Sequence, residues 1–137
     1  MTRFALTCCL LLTAAGCGSR SAAMHVWGTV RYQGRPVKEG QIVFVPIEET
    51  IGPSTGAAIQ DGRYDVPSRV GPIAHGVYRV EISAMGAEKT YSPNVSGAGP
   101  RVTVREELLP PAYNQKSTLR VTVSDDPPRN QHDFDLN

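Results

Sequence analysis

The chain has 137 residues and a mass of 14.8 kDa, the size of one domain. Its 14 Lys and Arg against 13 Asp and Glu leave a formal charge of +1, which excludes the clustered basic excess that broad binding of nucleic acid requires. Thirteen glycines and eleven prolines argue against a helical protein, and three cysteines, at 8, 9 and 17, are too few for a disulfide framework.

Arg3 is followed by an apolar run from Phe4 to Ala15. A helix of that length reaches roughly 18 Å, short of the ~30 Å hydrocarbon core. The pattern is that of a secretory signal rather than a span. The run closes on Thr13-Ala14-Ala15-Gly16-Cys17. Small residues fit the narrow subsites of a signal peptidase, and the thiol behind them can take a diacylglyceryl group.

This segment resembles the lipobox of bacterial lipoproteins. Gly16-Cys17 and the polar run Gly18-Ser19-Arg20-Ser21 match the pattern, whereas Ala14 stands where that family prefers Leu. The resemblance implies a lipoprotein signal peptide over 1–16, acylation of Cys17 and a lipidated spacer over 17–24. Two or more acyl chains hold a protein stably, where one alone does not. Gly18 in place of Asp implies the outer membrane rather than the inner, with the domain periplasmic or surface-exposed. An ordinary secretory signal, or a cytosolic amphipathic start, remains the alternative reading of the residues.

From His25 the pattern becomes period two. Val26, Gly28, Val30 and Tyr32 alternate with Trp27, Thr29 and Arg31, as a half-buried strand requires. Gln33-Gly34-Arg35-Pro36 supplies turn chemistry, and a second strand over Gln41–Val45 stops at Pro46. After a loop at 48–56, Ala57-Ala58-Ile59 leads into the hairpin signal Asp61-Gly62, with Arg63–Val66 as the returning strand. Gly71-Pro72 marks a turn before the alternating Tyr78, Val80 and Ile82. The stretch from 85 to 100 reads as a long functional or mobile loop. Val102–Val104, then Leu119, Val121 and Val123, then Phe134 and Leu136 complete the strands. About seven short strands predict an all-β, single Greek-key β-sandwich over 25–137. Its expected core is Val26, Val30, Ile42, Phe44, Ile59, Tyr64, Tyr78, Val80, Ile82, Leu119, Val121 and Phe134.

Three segments together carry a second resemblance: Gly28-Thr-Val-Arg-Tyr-Gln-Gly-Arg-Pro-Val37, Asp61-Gly62-Arg63-Tyr64 and Gly76-Val77-Tyr78-Arg79-Val80. Their order is similar to that of carboxypeptidase regulatory-like domains, which are transthyretin-like sandwiches. The stretch Leu109–Leu119 and the ending Asp133-Phe134-Asp135-Leu136 resemble small lipoproteins of planctomycete bacteria. The resemblance implies a non-enzymatic structural or interaction module of the cell envelope. Its partners would be membrane lipid through acylated Cys17, and an envelope protein or glycan.

No cofactor, metal site or catalytic residue emerges from the residues themselves. His25, His75 and His132 lie far apart in sequence and read as strand-end histidines facing water; a zinc site needs convergent ligands. A Gly-x-Ser-x-Gly elbow is absent. The pairs Glu48-Glu49, Glu106-Glu107 and Asp125-Asp126 read as solvated, and calcium would need six to eight close oxygens. Transthyretin-like folds also include a hydrolase with a Tyr-Arg-Gly-Ser signature, but residues 133–137 here read Asp-Phe-Asp-Leu-Asn. Trp27 alternates with core residues and is expected to face outward, which makes it the candidate ligand contact of a carbohydrate-binding module.

Overall fold

The computed structural model describes residues 22–92 and 99–137, so Cys17 and the signal segment lie outside the described residues. The chain is all-β. Among the described residues nine strands form one sheet: β1 (Val26–Tyr32), β2 (Arg35–Pro36), β3 (Glu39–Ile47), β4 (Thr55–Gln60), β5 (Arg63–Val66), β6 (Val77–Tyr91), β7 (Val102–Glu107), β8 (Arg120–Thr122) and β9 (Phe134–Leu136). The path runs β2-β1-β5-β4-β3-β6-β7, with β8 on β6 and β9 on β1. β3, β4 and β5 form an antiparallel meander, and β1 lies beside its last strand, a Greek-key order with the long connection made first.

Local chemistry explains the turns. Gln33-Gly34 and Asp61-Gly62 both have positive φ at two successive positions, 50° and 75° in the first and 48° and 75° in the second. That is the mirror-image turn whose twist matches flanking strands. It joins β1 to β2 and β4 to β5. The one strand that the sequence reading did not expect is the two-residue β2, built from the 33–36 turn.

The concave side holds the core. Val26, Val30, Ile42, Phe44, Ile59, Tyr64, Tyr78, Val80, Ile82 and Phe134 are buried as the alternation predicts. Four rings run across it in a chain: Tyr78 to Phe44 at 6.5 Å, Phe44 to Tyr64 at 6.1 Å and Tyr64 to Phe134 at 6.3 Å between centroids, within the range of favourable aromatic pairs. Leu119 and Val121 depart from expectation. They lie on the partly buried rim because β8 is a three-residue edge piece, and Val123 takes the buried place instead. Val37, Val66, Leu109 and Leu136 also join the core.

The expected loop at 85–100 is corrected as well. β6 continues unbroken to Tyr91 and pairs with β7. Its outer half carries exposed residues on both faces and a bulge between Met85 and Glu88, so no period-two signal marks it. Residues 93–98 lie outside the described ones.

β9 closes the fold by running parallel to β1, with Val30 opposite Phe134 and Tyr32 opposite Leu136. Just before it, the chain crosses over Gly28. The His132 amide donates to the Trp27 carbonyl at 2.8 Å, and the Tyr64 hydroxyl donates to the His132 carbonyl at 2.8 Å. A Cβ on residue 28 would lie 1.8 Å from that carbonyl oxygen. Gly28→Ala therefore must push the crossing segment off β1. We expect a loss of about 2 kcal/mol or more in urea unfolding, with faster amide exchange over Phe134–Leu136; an unchanged midpoint would show that the crossing can yield freely.

Candidate functional site

Trp27 stands on the outer face of β1, half-buried. Its indole stacks on the His25 ring, with centroids 4.6 Å apart and an interplanar angle of 23°. His25 is held in turn by Asp65 across the sheet, Nε2 to Oδ2 at 2.9 Å. The register places Trp27 opposite Asp65 on β5, so one strand pair positions all three side chains.

Beside Trp27 opens a groove of about 750 Å³, lined by Trp27, Gln60, Arg63, Asp65 and Gln131 among others. Its origin is in the pairing: β4 and β5 share only Gln60–Arg63 and then diverge. Ala57 and Ala58 are small, so the space between the strands stays open. Gln131 reaches the groove because the crossing segment bridges to Trp27. An aromatic body flanked by planar amide, guanidinium and carboxylate groups can stack against a flat apolar surface while hydrogen-bonding at its edges.

The three histidines have different settings. His25 pairs with Asp65, an exposed contact that the sequence did not suggest, because β1 and β5 are distant in the chain. His75 sits at φ 64°, in the left-handed region where His is tolerated, and its Nε2 is 3.7 Å from an Asp125 oxygen, with both side chains exposed. That separation is too long for a hydrogen bond. His132 is half-buried, and its Nε2 has no hydrogen-bond partner among the described residues. Burial pushes its pKa below the ordinary 6.5, against the opposing pull of Asp133. Asp133 is held below the usual carboxylate range by hydrogen bonds from the Thr29 hydroxyl, at 2.8 Å, and the Thr29 amide, at 2.7 Å.

β1 and the final strand do pair, as a meeting of His25 and His132 would need. Among the described residues, however, no three His, Cys, Asp or Glu side chains are grouped to hold a metal ion. No Ser, Thr or Cys side chain hydrogen-bonds His25 among them either. A second, more apolar groove of about 700 Å³ lies between Tyr32–Glu39 and the Ala84–Ala87 bend, with Met85 and Leu108 at its wall. No described helix is long and apolar enough to cross a membrane. In comparisons with protein-family models, curated proteins and solved structures, the chain matches none.

The two neighbouring groups at the crossing titrate in separate windows. Because His132 is easier to protonate in the unfolded chain, stability is full above pH 6.5 and declines as pH falls below it toward the folded value. Asp133 contributes stability that is present above pH 3.8 and is lost only as pH falls below it. Thermal unfolding followed from pH 7.5 to 5 should show the first decline, and His132→Phe should flatten it while leaving the acid limb. A variant that keeps the wild-type slope between pH 7 and 5 would remove His132 from that role.

Proposed function

We propose that the chain is a lipid-anchored β-sandwich of the cell envelope, a non-enzymatic interaction module tethered through acylated Cys17. The observation that supports this reading, beside the Thr13–Cys17 pattern, is where the chain enters the fold. Ala22 accepts from the Ala74 amide at 2.8 Å, Ala23 bridges Ile73, and the Met24 amide donates to Pro72 at 2.7 Å. The five Cα-to-Cα steps from Cys17 to Ala22 span at most about 18 Å. The anchor would therefore hold the Pro72–His75 end of the molecule close to the bilayer.

β6 starts at that end and runs 15 residues, roughly 45–50 Å along its path. Its far half, with β7, projects away from the tether, as a module presenting contacts to the envelope requires. Cys17→Ser should move the protein from the membrane to the soluble envelope fraction and remove acyl mass from the mature N-terminus. Unchanged partition, with no acyl mass on the native protein, would overturn the anchor.

One observation favours a second reading, carbohydrate binding: the open groove with Trp27 braced by His25 and edged by Gln60, Arg63, Asp65 and Gln131. On this reading an immobilised cell-wall glycan retards the protein and Trp27→Ala abolishes the retardation at unchanged stability. Elution at the void position across a glycan panel dismisses it.

A further inference from the structure

We propose that two copies of this chain pair through the outer edge of β7, antiparallel and two-fold symmetric about Val104, joining their sheets into one. The proposal is independent of the tether and of the glycan reading.

β7 ends the strand path, pairs on one side with β6, and every residue of it is exposed. Which of its backbone groups face outward follows from one bond. The Leu108 amide donates to the Ala84 carbonyl at 2.9 Å, so by two-residue alternation the amides of Glu106, Val104 and Val102 also turn toward β6. Those of Thr103, Arg105 and Glu107 turn outward, a row of unpaired donors and acceptors that templates a further strand.

The side chains choose the register. Opposite residues in an antiparallel pair lie on one face, which limits a symmetric pairing to an axis through a residue. An axis at Thr103 would set Arg101 against Arg105 of the other copy. An axis at Arg105 would set that residue against itself, and one at Glu106 would do the same with a carboxylate. An axis at Glu106 also pairs Arg105 with Glu107 but opposes the two Glu106 carboxylates, whereas the axis at Val104 opposes no like charges and sets Arg101, just before the strand, against Glu107 twice over. There the outward pairs Thr103–Arg105 exchange both backbone bonds. Glu107 Oε1 is already engaged by the Ala84 and Leu109 amides at 2.9 Å, which leaves Oε2 to meet the guanidinium.

The same register builds an apolar band. Tyr91 and Val102 are partners across the hairpin, as are Lys89 and Val104, so Tyr91, Val102 and Val104 share a face. All three are exposed, at 52%, 38% and 41%. The two-fold brings Val104 against its own copy and sets each Val102 beside Glu106 of the other chain, whose carboxylate is already paired with Lys89. The opposite face is rigid: Arg105 is clamped to Glu39 at 2.5 and 2.7 Å, and Glu39 is held in its charged form by that hydrogen bond. The edge therefore meets its copy as a preformed strand.

The test uses the full chain in detergent with Cys8, Cys9 and Cys17 changed to Ser. At the axis, Val104 and its copy form a non-hydrogen-bonded pair with Cα atoms about 4.5 Å apart, within disulfide reach. Val104→Cys should cross-link to a covalent dimer under mild oxidation, far faster than Val70→Cys, an exposed control. In sedimentation, the parent should run as a dimer. Thr103→Pro removes an outward amide and no backbone bond to β6, losing there only the exposed hydroxyl contact with Thr90, and should give a monomer with an unchanged circular dichroism spectrum. Should that variant unfold, Arg101→Glu is the second probe, weakening association at least about tenfold by setting like charges opposite. Cross-linking at 104 no faster than at 70, a monomeric parent, or a dimer indifferent to Arg101→Glu would each overturn the proposal.

Discussion

A peptide carbonyl occupies the place where residue 28 would carry a side chain, and most of the molecule depends on that contact. Without a Cβ at Gly28, the 131–133 segment lies directly over β1. Its amide, carbonyl and following carboxylate are taken up by Trp27, Tyr64 and Thr29. Such complete pairing matters, because an orphaned buried backbone group costs about as much as a lost hydrogen bond. With the crossing fixed, β9 falls into register and Phe134 completes the ring chain of the core. The same contact places Gln131 beside Trp27, so the floor of the outer groove and the closure of the inner core share one cause.

What was legible in the sequence was local. The alternation through Val26–Tyr32 and Tyr78–Ile82, and the Asp61-Gly62 turn, gave the fold class and nearly all of the central core. Each of those signals spans only a few residues and reflects one half-buried face. Pairing between distant segments was not legible. β1 beside β5 creates the His25–Asp65 contact, and β9 beside β1 creates the crossing, yet neither leaves a mark on the intervening sequence. The outer half of β6 is not legible for the opposite reason: both of its faces are wet, so its residues carry no alternation. Trp27 was readable as outward-facing, but the groove beside it arises from β4 and β5 diverging after one residue pair, a matter of backbone path.

The polar groups that stabilise the fold divide by depth. Inside, Asn130 is fully buried and uses its amide twice on Ser124, accepting from the backbone N–H at 2.7 Å and donating to the carbonyl at 2.9 Å. That clamp shapes the 124–130 bend that delivers the crossing segment. Outside, the ion pairs Lys89–Glu106 and Arg120–Glu48 sit in water and contribute little to global stability.

The parallel pairing of β1 with β9 also governs the order of events in folding. Val30 and Phe134 are opposite one another although about a hundred residues separate them, and loop closure must precede any gain from such contacts. β1 leaves the ribosome early and lacks its inner partner until Phe134–Leu136 has been made. Until then the crossing over Gly28, with its bonds to Trp27, Thr29 and Tyr64, cannot form.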